Sequence, residues 1–332
     1  MDNLKKVGLT ALAGSLAAVS AHAAEMTVSG ATLLTYTSED DTEVTGNPFG
    51  MKTNLAFTAS GDVNGYTVSY MQTTVDQFAG MSSARLSVDM GDMGTLAFDQ
   101  GSGSGLGTID DKTPTAAEEI WDGLDGLTVG GLVGTAGSSG VFNYVNSMGG
   151  VKFNGAVRKG SGTKNSDGSS SGAGQSAWDF ALTGSGDNLG VDGLSWGTGY
   201  GESEVGSVNS AGGGSQDNEH FTIFANYAVG PATVGYQYSR DNLQNAGDSV
   251  TSFYENNAYG ISFAVNDDLS ISYGAHESEV NKTNGTNVDN DAYSLQLAYS
   301  MGGASIKVAE THVDNANYQT AAANDIDGTT IA

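Results

Sequence analysis

The sequence predicts an all-β chain folded as a transmembrane antiparallel β-barrel of sixteen strands. Three observations predict it: a two-residue hydrophobic period from Glu25 onward, short turns alternating with long polar connections, and an export segment at the N-terminus with no apolar run long enough to span as a helix. Composition agrees. Of 332 residues 49 are Gly and only 3 are Pro, and 38% are hydrophobic, too few to fill the dry core of a soluble all-β protein of this size. A wall that is apolar on one face and polar on the other needs no such core.

The N-terminus reads as a signal peptide, residues 1–23. Lys5 and Lys6 give a positive start, Val7 to Val19 an uncharged apolar run, and Ala21-His22-Ala23 the small residues a signal peptidase reads. The run is shorter than the ~20 residues a spanning helix needs. Residues 24–332 therefore form the barrel, located in the bacterial outer membrane.

Val28, then Leu33 to Tyr36, open the first strand. Leu55, Phe57 and Ala59 alternate with polar and small residues in the second, and Tyr66, Val68 and Tyr70 share one face of the third. Later runs are cleaner: Phe221, Ile223, Ala225 and Tyr227; Tyr259, Ile261, Phe263 and Val265; Leu269, Ile271, Tyr273 and Ala275. Such alternation sets one strand face in an apolar medium and the other in water. Fifteen strands begin near Met26, Thr53, Tyr66, Ser83, Thr95, Val141, Val151, Ala177, Leu194, Phe221, Thr233, Ala258, Leu269, Ala292 and Ala304. A sixteenth starts at Gly328-Thr329-Thr330-Ile331 and is cut off. Short turns (Asn64-Gly65, Gly91 to Gly94, Gly230-Pro231, Asn266 to Asp268, Gly302-Gly303) alternate with long segments (Gly160 to Ser176, Gly206 to Asn218, Leu243 to Ser252, Val280 to Asp289). Tyr293, Leu295, Leu297 and Tyr299 place an aromatic at each end of an aliphatic band, the girdle expected where a strand crosses two interfaces.

Several functions are excluded. Twelve Lys and Arg against 38 Asp and Glu give a net charge of −26, which argues against nucleic acid as a partner and favours cations. Without cysteine there is no disulfide, thiolate metal site or thiol nucleophile. There is no P-loop and no His-Glu-x-x-His, and His220, His276 and His312 are far apart in the chain, so no nucleophile and base are brought together by sequence. The reading is a non-enzyme. The Gly/Asn/Asp-rich loops also admit a secreted or surface β-rich adhesin or calcium-binding structural protein. No nine-residue Gly-Asp repeat supports it, and a solenoid would not alternate short and long connections.

Glu25-Met26-Thr27-Val28-Ser29-Gly30 after the signal peptide, the alternating strands, and Met93-Gly94-Thr95-Leu96-Ala97-Phe98-Asp99-Gln100-Gly101 leading into a long acidic segment resemble the Gram-negative general porins, in particular the alphaproteobacterial, Rhodobacter-like type. The resemblance implies a homotrimer of sixteen-stranded barrels, each with a third extracellular loop folded inward to narrow the pore. It also implies contact with lipid and lipopolysaccharide. Porins of this type end in a complete strand with a terminal aromatic, whereas this chain ends at Ile331-Ala332. The last strand is thus expected to be truncated, leaving unpaired edges in lipid.

On that pattern residues 101–140 are the inward-folded loop. Its carboxylates Asp110, Asp111, Glu118, Glu119, Asp122 and Asp125 surround a stretch, Thr115 to Asp122, that carries a helix-start signal at Thr115. They would form one side of a charged eyelet and could hold Ca²⁺, an oxygen-preferring ion; no other cofactor is implied. By strand parity Lys52, Arg85, Lys152, Arg158 and Lys307 point inward and form the basic side, while Arg240 shares the face of Val234, Tyr236 and Tyr238 at the interface. An acidic loop opposite a basic wall gives a transverse field in a water-filled channel for passive diffusion of ions and small hydrophilic solutes, with a weak preference for cations.

Overall fold

The computed structural model describes residues 25–39, 47–74, 80–98, 103–117, 119–120, 135–137, 140–159, 176–204, 217–243, 251–283 and 285–332. The signal peptide, Glu118, Asp122 and Asp125 lie outside the described residues. The strands, in chain order, are β1 (Glu25–Glu39), β2 (Phe49–Val63), β3 (Tyr66–Thr74), β4 (Met81–Asp89), β5 (Thr95–Phe98), β6 (Val141–Met148), β7 (Val151–Arg158) and β8 (Ala177–Ser185). They continue with β9 (Leu194–Ser203), β10 (Asn218–Val229), β11 (Ala232–Asn242), β12 (Thr251–Ala264), β13 (Leu269–Lys282), β14 (Val288–Met301), β15 (Ala304–Asp314) and β16 (Ile326–Ile331). Each pairs antiparallel with its neighbours in the chain, and β16 returns to β1, so the sheet is a closed barrel.

The faces are reversed relative to a soluble protein. Leu295 in β14 is 60% exposed, whereas its neighbours Ser294 and Gln296 are 1% and 2% exposed. The same contrast separates Ile223 from Thr222 in β10 and Tyr273 from Ser272 in β13. Apolar side chains that point outward from the strands are not covered by this chain, the arrangement of a barrel set in lipid. Tyr and Trp contacts such as Tyr236–Tyr259 and Trp178–Tyr200 run around this outer face.

One end carries short turns. Between β2 and β3 the turn is Asn64-Gly65, both at positive φ (54° and 86°), the type I′ geometry that matches strand twist and that few residues other than Asn and Gly adopt. The Asp62 carboxylate accepts the Gly65 N–H at 3.1 Å and fixes it.

Two sequence expectations are corrected. Val280 to Asp289 is not a long loop, because β13 and β14 stay paired through Val280↔Val288, leaving only residues 283–287 between them. Hydrophobic alternation stops where these strands leave the apolar band, but the backbone ladder continues with Glu279 opposite Asp289. Nor is the ring open: β16 begins earlier than its glycine suggested. It pairs with β15 from Val313↔Ile326 to Val308↔Ile331, and with β1 from Tyr36↔Ile331 to Glu39↔Gly328. One short ladder on each flank is enough to join the two edges.

Candidate functional site

The segment after β5 runs inside the barrel, along the inner face from β7 to β15. Its backbone is held by inward side chains of successive strands. In β8 the buried Asp179 carboxylate accepts the N–H of Gly105 at 2.7 Å and of Ala136 at 2.6 Å, tying the two ends of the loop together. From β11, Gln237 accepts from the Lys112 N–H at 2.7 Å and donates to the carbonyls of Ile109 and Asp110. Asn226 in β10 donates to the Lys112 carbonyl at 2.6 Å. Further along, Ser272 in β13 takes the Ala116 N–H and Gln296 in β14 takes that of Ala117, while donating to the Glu119 carbonyl. Leu106, Ile109 and Ile120 are fully buried against the wall.

Close approach requires glycine on the wall. Gly235, Gly260 and Gly274 face one another across β11, β12 and β13. A Cβ at Gly260 would lie 2.7 Å from the Pro114 carbonyl oxygen, and one at Gly274 2.8 Å from Ile120. In β9, a Cβ at Gly199 would meet Leu106 at 2.7 Å. Sequence reasoning missed both tethers and glycines, although same-face glycines at strand centres are a signal of close backbone approach.

The helical turn expected at Thr115 is absent from the described residues. The carbonyls that would continue it are already engaged: Lys307 in β15 donates to the Ala117 carbonyl at 2.9 Å, and Gln296 donates to that of Glu119. Side chains of the wall have replaced the helix's own bonding.

Among the described carboxylates of the loop, Asp110, Asp111 and Glu119 lie within electrostatic reach of one another. Burial pushes the Asp111 carboxyl up to about 6, and the Glu119 charge adds to the shift while Lys112 opposes it. Burial also raises Asp110, against backbone hydrogen bonds and Lys112. The five basic positions divide. Lys307 binds the loop itself, the Arg158 guanidinium sits where a Cβ on Gly137 of the loop would fall, and Lys152 lies beneath Thr108 to Lys112. Lys52 in β2 and Arg85 in β4 stand on the arc across the ring from the loop. Arg240 lies on the outer face, 3.9 Å over the Phe253 ring and paired with Glu255.

Similar solved structures share this architecture. Salmonella typhi OmpF, in complex with daunomycin, superposes with a TM-score of 0.61 at 13% identity, over 93% of this chain and 97% of that one. A multiply substituted mutant of the Rh. blastica porin gives 0.60 at 12% identity, over 92% and 98%. The fold is that of the porins. No protein-family model matches the sequence, and no curated protein matches it either.

Within this porin fold His220 and His312, far apart in the sequence, each bond to side chains of neighbouring strands. Ser203 of β9 bonds His220 Nε2 at 3.0 Å, and Asp241 of β11 bonds Nδ1, so a hydroxyl, an imidazole and a carboxylate form a chain across three strands. The order is that of an acyl-transfer triad, but such chemistry also needs backbone donors for an oxyanion. The donor next to Ser203, the Glu204 N–H, is engaged by the Ser176 carbonyl at 2.8 Å. The chain joins strands near the long-loop end of the porin fold. On the outer face His312 links Asp314 and Asp327 and stacks on Tyr293. Among the described residues no three metal-ligating side chains converge.

Proposed function

We propose that the chain forms a water-filled channel across the bacterial outer membrane, passing ions and small hydrophilic solutes by passive diffusion with a weak preference for cations. The asymmetry of the lumen carries this reading. The loop covers the inner face from β7 to β15, where inward residues such as Thr222, Ser272 and Asn290 are buried. On β1 to β4 none of the described residues is buried, so open space runs along that arc. The path therefore lies between the loop, with Asp110, Asp111 and Glu119, and a wall carrying Lys52 and Arg85. Opposed charges there orient dipolar solutes and disfavour apolar ones, whose passage would strip ordered water. The excess of acidic residues supports the cation preference.

Secretion by a cleaved signal peptide, assembly as a homotrimer, and contact with lipid and lipopolysaccharide belong to the same proposal, supported by the family resemblance of the sequence. Calcium at the acidic segment (Asp110, Asp111, Glu118, Glu119, Asp122 and Asp125) belongs to the same proposal, supported by the oxygen-only character of these side chains. No reaction is proposed. The test is a planar bilayer recording of the refolded protein under a KCl gradient. Stepwise ohmic conductance with a cation-side reversal potential is expected; folded, heat-modifiable protein that passes no current would overturn the reading.

A further inference from the structure

Beneath the loop, on the short-turn side, lies a cavity of about 200 Å³ lined by Thr108, Ile109 and Lys112 of the loop and by Lys152, Asn154 and Thr183 of the wall, with Ala181 and Phe224 closing it. In a chain of net charge −26 its lining holds two lysines and no carboxylate. No hydrogen bond from either ammonium to a described residue is seen, and the Lys112 charge is felt by Asp110 and Asp111 on the far side of the loop backbone. Asn154 is 7% exposed, and its amide orientation is set by its neighbour. Asn143 Nδ2 donates to Asn154 Oδ1 at 2.6 Å and to the Gly155 carbonyl at 3.3 Å, so Asn154 keeps its Nδ2, a donor, for the cavity. The Thr108 hydroxyl is engaged by the Gly105 carbonyl at 2.6 Å, whereas Thr183 brings a hydroxyl that rotates freely to suit a ligand. Lys112, Lys152, Asn154 and Thr183 thus each bring a side-chain donor to the cavity wall.

We infer that this cavity is an oxyanion subsite of the pore, binding the phosphate or carboxylate group of a permeating solute between Lys112 and Lys152 with Asn154 Nδ2 as a third donor. The inference rests on the channel reading. Charge-assisted hydrogen bonds in a partly water-excluded site favour an oxyanion over chloride, because its several oxygens can meet separated donors at once. Because Lys112 projects from the same loop as Asp110 and Asp111, which line a recess with Ser239, Asn256 and His276, the loop presents its ammonium group on one side and carboxylates on another. An oxyanion in the cavity neutralises the ammonium side. The pore then becomes more cation-preferring when it is occupied.

The experiment is a reversal-potential titration of the wild-type channel in a KCl gradient, adding inorganic phosphate in one arm and acetate in the other at constant ionic strength. Saturable movement toward the cation side is expected, with phosphate or acetate effective first according to the class of group the site takes. Lys112→Gln and Lys152→Gln should each raise the apparent Kd about tenfold, the size of one charge-assisted bond. Asn154→Asp, which keeps the bond from Asn143 but adds a negative charge, should abolish the response. Heat-modifiable mobility checks that each variant is folded. A wild-type channel indifferent to both anions, or a response unchanged in the folded variants, overturns the subsite and leaves the channel reading intact. Absence of wild-type conductance in KCl alone overturns the channel reading first.

Discussion

Asp111 is a residue whose charge state the fold controls. Its carboxyl is raised to about 6 by burial and by Glu119, so it is neutral below that pH and charged above it. Cation preference should therefore weaken as pH falls from 7 to 5, and reversal potentials of Asp111→Asn should be flatter across that window. The sign for stability is the reverse. A carboxyl raised above its ordinary 3.8 favours the folded state at low pH, and that contribution is lost as pH rises through about 6. At Ser203 the geometry predicts inertness. With the neighbouring Glu204 N–H engaged by Ser176 and no oxyanion donor beside Ser203 among the described residues, an organophosphate probe should leave Ser203 unlabelled; stoichiometric labelling lost in His220→Gln would contradict that.

At the scale of the loop, docking depends on tethers and on space. Asp179 makes two charge-assisted bonds to backbone N–H groups, each of a kind that contributes about 1.5–3 kcal/mol. Asp179→Ala should free both loop ends and give noisy, subconductance-rich currents in single-channel records. Gly260→Ala acts by overpacking, since its Cβ would press on the Pro114 carbonyl at a cost of about 1–3 kcal/mol. It should push the loop toward the lumen and lower the unitary conductance while the barrel stays heat-modifiable. Little of this docking was legible in the sequence. The loop's place after the fifth strand and the inward parity of Lys152 and Lys307 could be read, because both follow from counting. That Lys307 serves a loop carbonyl, or that Gln296 replaces a helical turn, could not, because these contacts join residues more than 170 positions apart.

For the barrel as a whole, a reversed pattern of faces makes a sharp prediction. Leu295→Arg places a charge on the outer face between Tyr293 and Tyr299, where it should cost about 2–4 kcal/mol in urea unfolding from lipid vesicles. Ser69→Arg, on the lumen side of β3, should cost far less. This level of organisation was the most legible, since alternation follows from the two-residue strand period and the turns from the hairpin order of an up-and-down barrel. The misread connection between β13 and β14 has a simple cause: β12, β13 and β14 extend past the apolar band on Glu255, Glu279 and Asp289, where hydrophobicity no longer marks a strand. The wild-type chain contains no cysteine, which makes single-cysteine probing clean. The most direct test is to place Cys at Arg85 or, one residue on, at Leu86, and to add a charged, water-soluble thiol reagent during bilayer recording. A channel running along β1 to β4 predicts a stepwise fall in current for Arg85→Cys and none for Leu86→Cys. Equal response at both positions, or none at Arg85→Cys after demonstrated labelling, would contradict it.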